Sequence, residues 1–144
     1  MTETQKTQPV SLKSLLTPSK TVGIDFPGMD GFVVKLTYLA REELLKLRNR
    51  SVSQQFNKKT RSYEEQLDND KFLTEYCKAI IKGWSGLKYK YLEELLLVDV
   101  SKQDPNDELP WSQENAELMM KNSADFDNWV SETVGDLENF TKSK

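Results

Sequence analysis

Histidine is absent from this 144-residue sequence, and cysteine occurs once, as Cys77. Without histidine, the chain has no imidazole for acid–base catalysis, for the usual serine or cysteine nucleophile pairs, or for a histidine-containing metal site. A single cysteine excludes an internal disulfide, and its position on an apolar helix stripe predicts a packed thiol and not a reactive one.

Phosphate-binding loops and long apolar runs are also missing. Gly83 and Gly86 lack the surrounding residues of a GxxxxGK[ST] or GxGxxG loop. The 23 acidic residues are scattered among lysines, as on solvated helix faces. The longest apolar runs have about four residues, such as 95–98, too few for a membrane span or a signal peptide. We therefore expect a soluble, intracellular protein that is not an enzyme and uses no cofactor or metal.

Charge is unevenly distributed along the chain. Residues 1–98 carry 16 basic and 12 acidic side chains, a net charge of +4, whereas residues 99–144 carry 4 and 11, a net charge of −7. A basic cluster could indicate a small nucleic-acid-binding regulator, but no RNP, zinc or helix-turn-helix pattern accompanies it. We expect a solvated helix end and loop there, and no nucleic-acid partner. The cluster comprises Lys46, Arg48, Arg50, Lys58, Lys59 and Arg61.

The first part of the chain predicts a tail and a hairpin. Residues 1–20 are polar and are expected to be a flexible N-terminal tail, although Leu12, Leu15 and Leu16 have helical spacing and could dock on another surface. Residues 21–141 are expected to form a single α-rich domain. Two stretches of alternating apolar residues, 22–26 and 32–38, flank the turn sequence PGMDG and predict a β-hairpin.

Helical patterns dominate the remainder. Residues 40–56 contain no glycine or proline and are predicted to be helical, with 57–66 as a polar connection. Asp68 or Asp70 is expected to cap a helix that ends near Lys82, before Gly83. Residues 91–100 fit either a short helix or a strand, and the leucine spacing favours the helix. We expect an α+β, mainly α fold in which an N-terminal β-hairpin is followed by a bundle of about four to five helices.

The last part of the chain predicts two capped helices. Ser112 is a good N-cap, and Trp111 precedes it in the hydrophobic-staple position, where its indole could close the loop 101–108 onto the helix. Ser123 is predicted to cap a final helix whose apolar stripe continues past Gly135. This stripe could be core or an exposed face that meets a partner. The candidate partner-binding residues are Phe126, Trp129, Val130, Leu137 and Phe140.

Three stretches together resemble the tail assembly chaperones of long-tailed, non-contractile (siphovirus-type) bacteriophages. They are YLAREELLKLR at 38–48, IIKGWSGL at 80–87 and ELPWSQENAELMMKNSADFDNWV at 108–130. The family has a Gly-Trp-x-Gly-[Leu/Val] turn, an acidic loop and an aromatic-[Ser/Thr]-x-Glu-Asn-Ala helix start, although Tyr or Phe is commoner where Trp111 stands. The matching residues are Gly83, Trp84, Gly86, Leu87, Trp111, Ser112, Glu114, Asn115 and Ala116.

The resemblance implies a function without catalysis. Such a chaperone binds the hydrophobic tape measure protein in the host cytoplasm and keeps it soluble while tail tube subunits polymerise around it. It leaves before the tail is finished, so absence from the mature virion is expected. Tail tube recruitment would involve a longer form made by ribosomal frameshifting. The alternative is a structural tail or neck protein that stays in the virion.

Opposite charge in the two parts of the chain predicts self-association. The basic side chains of residues 46–61 would face the acidic side chains of residues 99–138 in a second copy, a head-to-tail contact. We expect a homo-oligomer that forms as protein concentration rises and weakens as salt screens the charges. Sedimentation at several salt concentrations tests this, and a strictly monomeric species at high concentration and low salt would contradict it.

Overall fold

The predicted N-terminal hairpin is confirmed. The computed structural model describes residues 9–141, where a helical turn, α1 (Leu12–Leu15), precedes β1 (Ser19–Asp25) and β2 (Val33–Leu39). The two strands are antiparallel, with Ser19 opposite Leu39 and Asp25 opposite Val33. Val34 and Leu36 of β2 are fully buried, as their alternation predicts. Residues 1–8 of the predicted flexible tail lie outside the described residues.

A third strand completes the sheet and was not predicted. Helix α3 (Asn69–Ile80) passes directly into β5 (Ile81–Ser85), which pairs antiparallel with β2 and gives the strand order β1-β2-β5. The predicted helix is confirmed as far as Ile80, but Ile81 and Lys82, predicted as its last residues, belong to β5. The physical reason is the free edge of β2, because its unpaired backbone groups can be satisfied by another strand.

A second hairpin lies where a helix and a polar connection were predicted. Helix α2 (Arg41–Arg50) ends early, and β3 (Val52–Asn57) pairs antiparallel with β4 (Ser62–Leu67) in a two-stranded sheet. Ser51 fixes the change of direction, because its hydroxyl donates to the Leu47 carbonyl (3.0 Å) and its carbonyl accepts from the Asp68 amide (2.8 Å).

The predicted helix caps are confirmed. Asp68, Ser112 and Ser123 each accept a bond from the backbone amide three residues later, at 3.0–3.1 Å. They begin α3, α5 (Gln113–Asn122) and α6 (Ala124–Val134), and residues 91–100 include part of the helix α4 (Tyr89–Leu95). The apolar stripe after Ser123 was predicted to continue past Gly135 on a single helix, and this was wrong. Gly135 ends α6, and a separate helix, α7 (Glu138–Thr141), follows.

The expected fold class was wrong in its arrangement. Residues 9–141 form seven helices and five strands in two antiparallel sheets, with strands interleaved among the helices. The first hairpin is therefore not followed by a helical bundle, because β3, β4 and β5 lie between the helices. Helices α3 and α6 instead pack against β2, so the core lies between one sheet and the helices that cover it. None of the helices in this part of the chain has the length and apolarity that a membrane span requires.

Candidate protein-binding site

Two of the three stretches that resemble the phage chaperones meet in the structure. The Trp84 indole Nε1 donates to the Leu109 carbonyl (2.9 Å), and the Leu109 amide donates to the Leu87 carbonyl (2.8 Å). The Gly86 amide donates to the Glu108 carboxylate (2.9 Å). These bonds join the end of β5 and the two residues after it to the residues before α5. The structure therefore gives the Gly-Trp motif a loop-joining role.

The start of α5 contains the other motif residues. Ser112 caps the helix, the Asn115 side chain donates to the Pro110 carbonyl (3.0 Å), and Ala116 is fully buried. Glu114 lies exposed in the first turn, where a carboxylate interacts favourably with the helix dipole. Trp111 is 37% exposed, and its role in closing the loop stays a prediction, whereas Trp84 bonds directly to the Leu109 carbonyl.

The five candidate partner-binding residues divide into two groups. Phe126, Val130 and Phe140 are buried in the core. Trp129 is partly buried, and its ring lies 4.8 Å from that of Phe26. Leu137, in the turn after α6, is 51% exposed. Of the five, only Trp129 and Leu137 reach the surface in this conformation.

A larger exposed apolar surface lies elsewhere and was not predicted as a binding site. Helices α2 and α3 form a groove of about 550 Å³, with Met120 at its base and residues of α6 along one side. Phe72 and Tyr76 stack along one wall, with ring centroids 5.5 Å apart. We call this the α2–α3 groove. Its lining residues are Leu44, Leu45, Arg48, Asn69, Phe72, Leu73, Tyr76, Met120, Asp127 and Ser131.

The groove is open and mainly apolar. Leu44 and Leu45 are 40% and 46% exposed, although their helix packs against α3. Burial raises the pKa of the Tyr76 hydroxyl above its usual value, Asp127 adds to this, and a hydrogen bond with Ser131 acts in the opposite direction. The phenol therefore stays neutral at physiological pH. Phe72, Leu73 and Tyr76 have the spacing of one apolar helix face, and because Phe72 and Leu73 are only partly buried, part of that face is a surface.

Cys77 lies on the same helix, beneath the groove. Its side chain is fully buried, and burial raises the pKa of the thiol to about 12. The predicted packed thiol is therefore confirmed. A thiol held protonated and covered is a poor nucleophile, so it does not give the groove covalent chemistry. The groove has the features of a surface that binds apolar side chains.

Comparisons with known proteins indicate a phage origin. The family model described as YdaY prophage protein matches residues 37–144. Neither the comparison with curated proteins nor that with solved structures gives a match. The match begins within the last residues of β2 and covers all later helices and strands, which include every residue of the α2–α3 groove. The phage-derived character that the resemblance predicted is confirmed.

Proposed function

The chain belongs to the YdaY prophage protein family, and from that premise we propose that it is a tail assembly chaperone. It binds the tape measure protein of its phage, keeps it soluble and, through a frameshift-extended form, helps to recruit tail tube subunits. It works in the host cytoplasm and leaves before the virion is complete. The order and spacing of the motifs at 38–48, 80–87 and 108–130 support this assignment over a general prophage role.

The α2–α3 groove is the observation that carries the proposal. Exposed apolar surface on a soluble protein marks sites where another apolar surface docks. Two adjacent leucines on α2 and the Phe72–Tyr76 stack on α3 give the groove two apolar walls. An amphipathic helix places side chains at i, i+3, i+4 and i+7 into such a groove. A long apolar helical protein supplies many segments of that kind.

The dimensions of the groove fit weak binding repeated along a long partner. Its volume of about 550 Å³ admits a few side chains of such a helix. One contact of this size is weak, but several chaperone copies on one tape measure chain cover it cooperatively if they also touch each other. Reversible contacts also allow the copies to leave as the tail tube polymerises.

Co-expression with the tape measure protein of the same phage tests the proposal. We expect that protein to stay soluble with the wild-type chain and to precipitate without it. The double substitution Leu44→Ser and Leu45→Ser should weaken binding roughly tenfold, corresponding to about 1.4 kcal/mol of lost apolar contact. Both side chains are exposed, so the fold should persist and circular dichroism should be unchanged.

The matched control is Leu97→Ser with Leu118→Ser. Those two leucines are also exposed and line a separate depression between α4 and α5, so tape measure solubility should stay as in wild type. Equal solubility with and without the chaperone would refute the proposal. Stoichiometric presence of the chain in purified virions, measured by mass spectrometry, would instead favour a structural tail or neck protein.

A further inference from the structure

The residues before β1 expose an apolar surface. Four large apolar side chains in a seven-residue segment are 63–70% exposed: Val10, Leu12, Leu15 and Leu16. We call residues 10–16 the N-terminal arm. Four large apolar side chains in so short a segment exceed the scattered exposed leucines of an ordinary surface. The arm therefore has the composition of a docking segment.

The arm has a defined conformation. The Ser11 hydroxyl accepts from the Lys13 amide (3.2 Å), and the Leu16 amide donates to the Leu12 carbonyl (3.1 Å), closing one helical turn. That turn places Leu12, Leu15 and Leu16 on one side, at i, i+3 and i+4. A single turn has little helical stability of its own, and apolar packing on a second surface would stabilise it.

We propose that the N-terminal arm of one copy docks in the α2–α3 groove of a second copy. The arm offers three leucines at helical spacing, and the groove offers two apolar walls against which they can pack. Arg48 and Asp127 both line the groove, and Lys13, the only charged residue of the arm, can pair with the Asp127 carboxylate. No cation in residues 9–141 forms an ion pair with Asp127.

The exposure of both the arm and the groove within one chain favours docking on a second copy. The Pro18 carbonyl accepts from the Ala40 amide (2.9 Å), and Ser19 already pairs with Leu39. From this fixed base the arm extends with its leucines in solvent, while Leu44 and Leu45 of the same chain remain uncovered. Both exposed surfaces would be covered at once when two or more copies associate.

The docked arm would protect the groove until a tape measure segment displaces it, a consequence that rests on the proposed function. The contact between arm and groove does not itself depend on the proposed function. Because this contact is mainly apolar, it should persist as salt rises, whereas an attraction between the basic and acidic parts of two copies would weaken. Salt dependence therefore separates the two kinds of self-association.

Disulfide trapping between two tagged full-length copies tests the docking. One copy carries Leu15→Cys and a larger tag, the other carries Leu45→Cys, and a mild oxidant is added to the mixture. The native Cys77 is buried and does not compete. We expect a disulfide-linked heterodimer in several-fold higher yield than for Leu15→Cys with Leu118→Cys, an exposed position outside the groove. Equal yields for the two pairs would overturn the inference.

Two further variants make the result decisive. A chain carrying both Leu15→Cys and Leu45→Cys should form cross-linked dimers, and a purely intrachain disulfide would refute docking between copies. Leu12→Ser with Leu15→Ser should abolish salt-resistant self-association in sedimentation while tape measure solubilisation persists. Unchanged self-association would overturn the arm inference alone. Loss of tape measure binding in the groove variant tests the proposed function separately.

Discussion

Gly86→Ala should destabilise the protein by about 3–5 kcal/mol, a large fraction of the roughly 5–15 kcal/mol that a domain of this size has. Gly86 has φ +76°, where alanine is strained by about 1–2 kcal/mol. An added Cβ would also overlap the Gly31 carbonyl, lying 2.6 Å from its carbon, so the backbone must shift. Urea denaturation followed by tryptophan fluorescence measures the loss.

Gly28→Ala is the matched control for this prediction. Gly28 has nearly the same backbone angle, φ +81°, but an added Cβ would meet no atom within 4 Å. Its cost should therefore be only the conformational strain, about 1–2 kcal/mol. If the two variants were equally stable, the close approach of the 83–87 turn to the Gly31 backbone would not contribute to folding.

Phe126→Ala should destabilise the protein by about 3–5 kcal/mol, because it leaves a cavity in the core. The Phe126 side chain is fully buried, and its ring lies 6.2–6.4 Å from those of Phe26, Trp84 and Trp129. The same residue was one of the candidate partner contacts in the C-terminal stripe. Thermal and urea unfolding of the purified variant measure this effect without any partner.

Phe56→Ala is the matched control, because it makes the same substitution at an exposed position. Phe56 is 52% exposed on the second hairpin and contacts only the Tyr63 ring among the aromatic residues described. Phe56→Ala should cost about 1 kcal/mol or less. A Phe126→Ala protein as stable as wild type would contradict the packing of α6 against the first sheet.

The α2–α3 groove shows how much of a surface can be predicted from sequence patterns. Phe72, Leu73 and Tyr76 have the spacing of a helix stripe, and that spacing correctly indicates one apolar face of α3. It cannot indicate whether another element covers the whole face. Coverage depends on where α2 and α6 lie, and they leave part of the stripe open as the α2–α3 groove. The C-terminal stripe shows the opposite case, because Phe140 contacts the Tyr38 ring (5.6 Å) and is buried.

By itself, the sequence determined the features whose causes lie within about four residues. The caps at Asp68, Ser112 and Ser123 and the turn of the first hairpin belong to this class, because side chain and backbone partner are neighbours in the chain. Tertiary structure decided β5, whereas the second hairpin pairs two segments that are neighbours in the chain and was missed because its pattern is weak. Residues 52–67 are mostly polar and alternate weakly, and Ile80 and Ile81 suit a helix or a strand equally. A strand needs a partner edge distant in sequence, and only the folded arrangement of β2 provides one for β5.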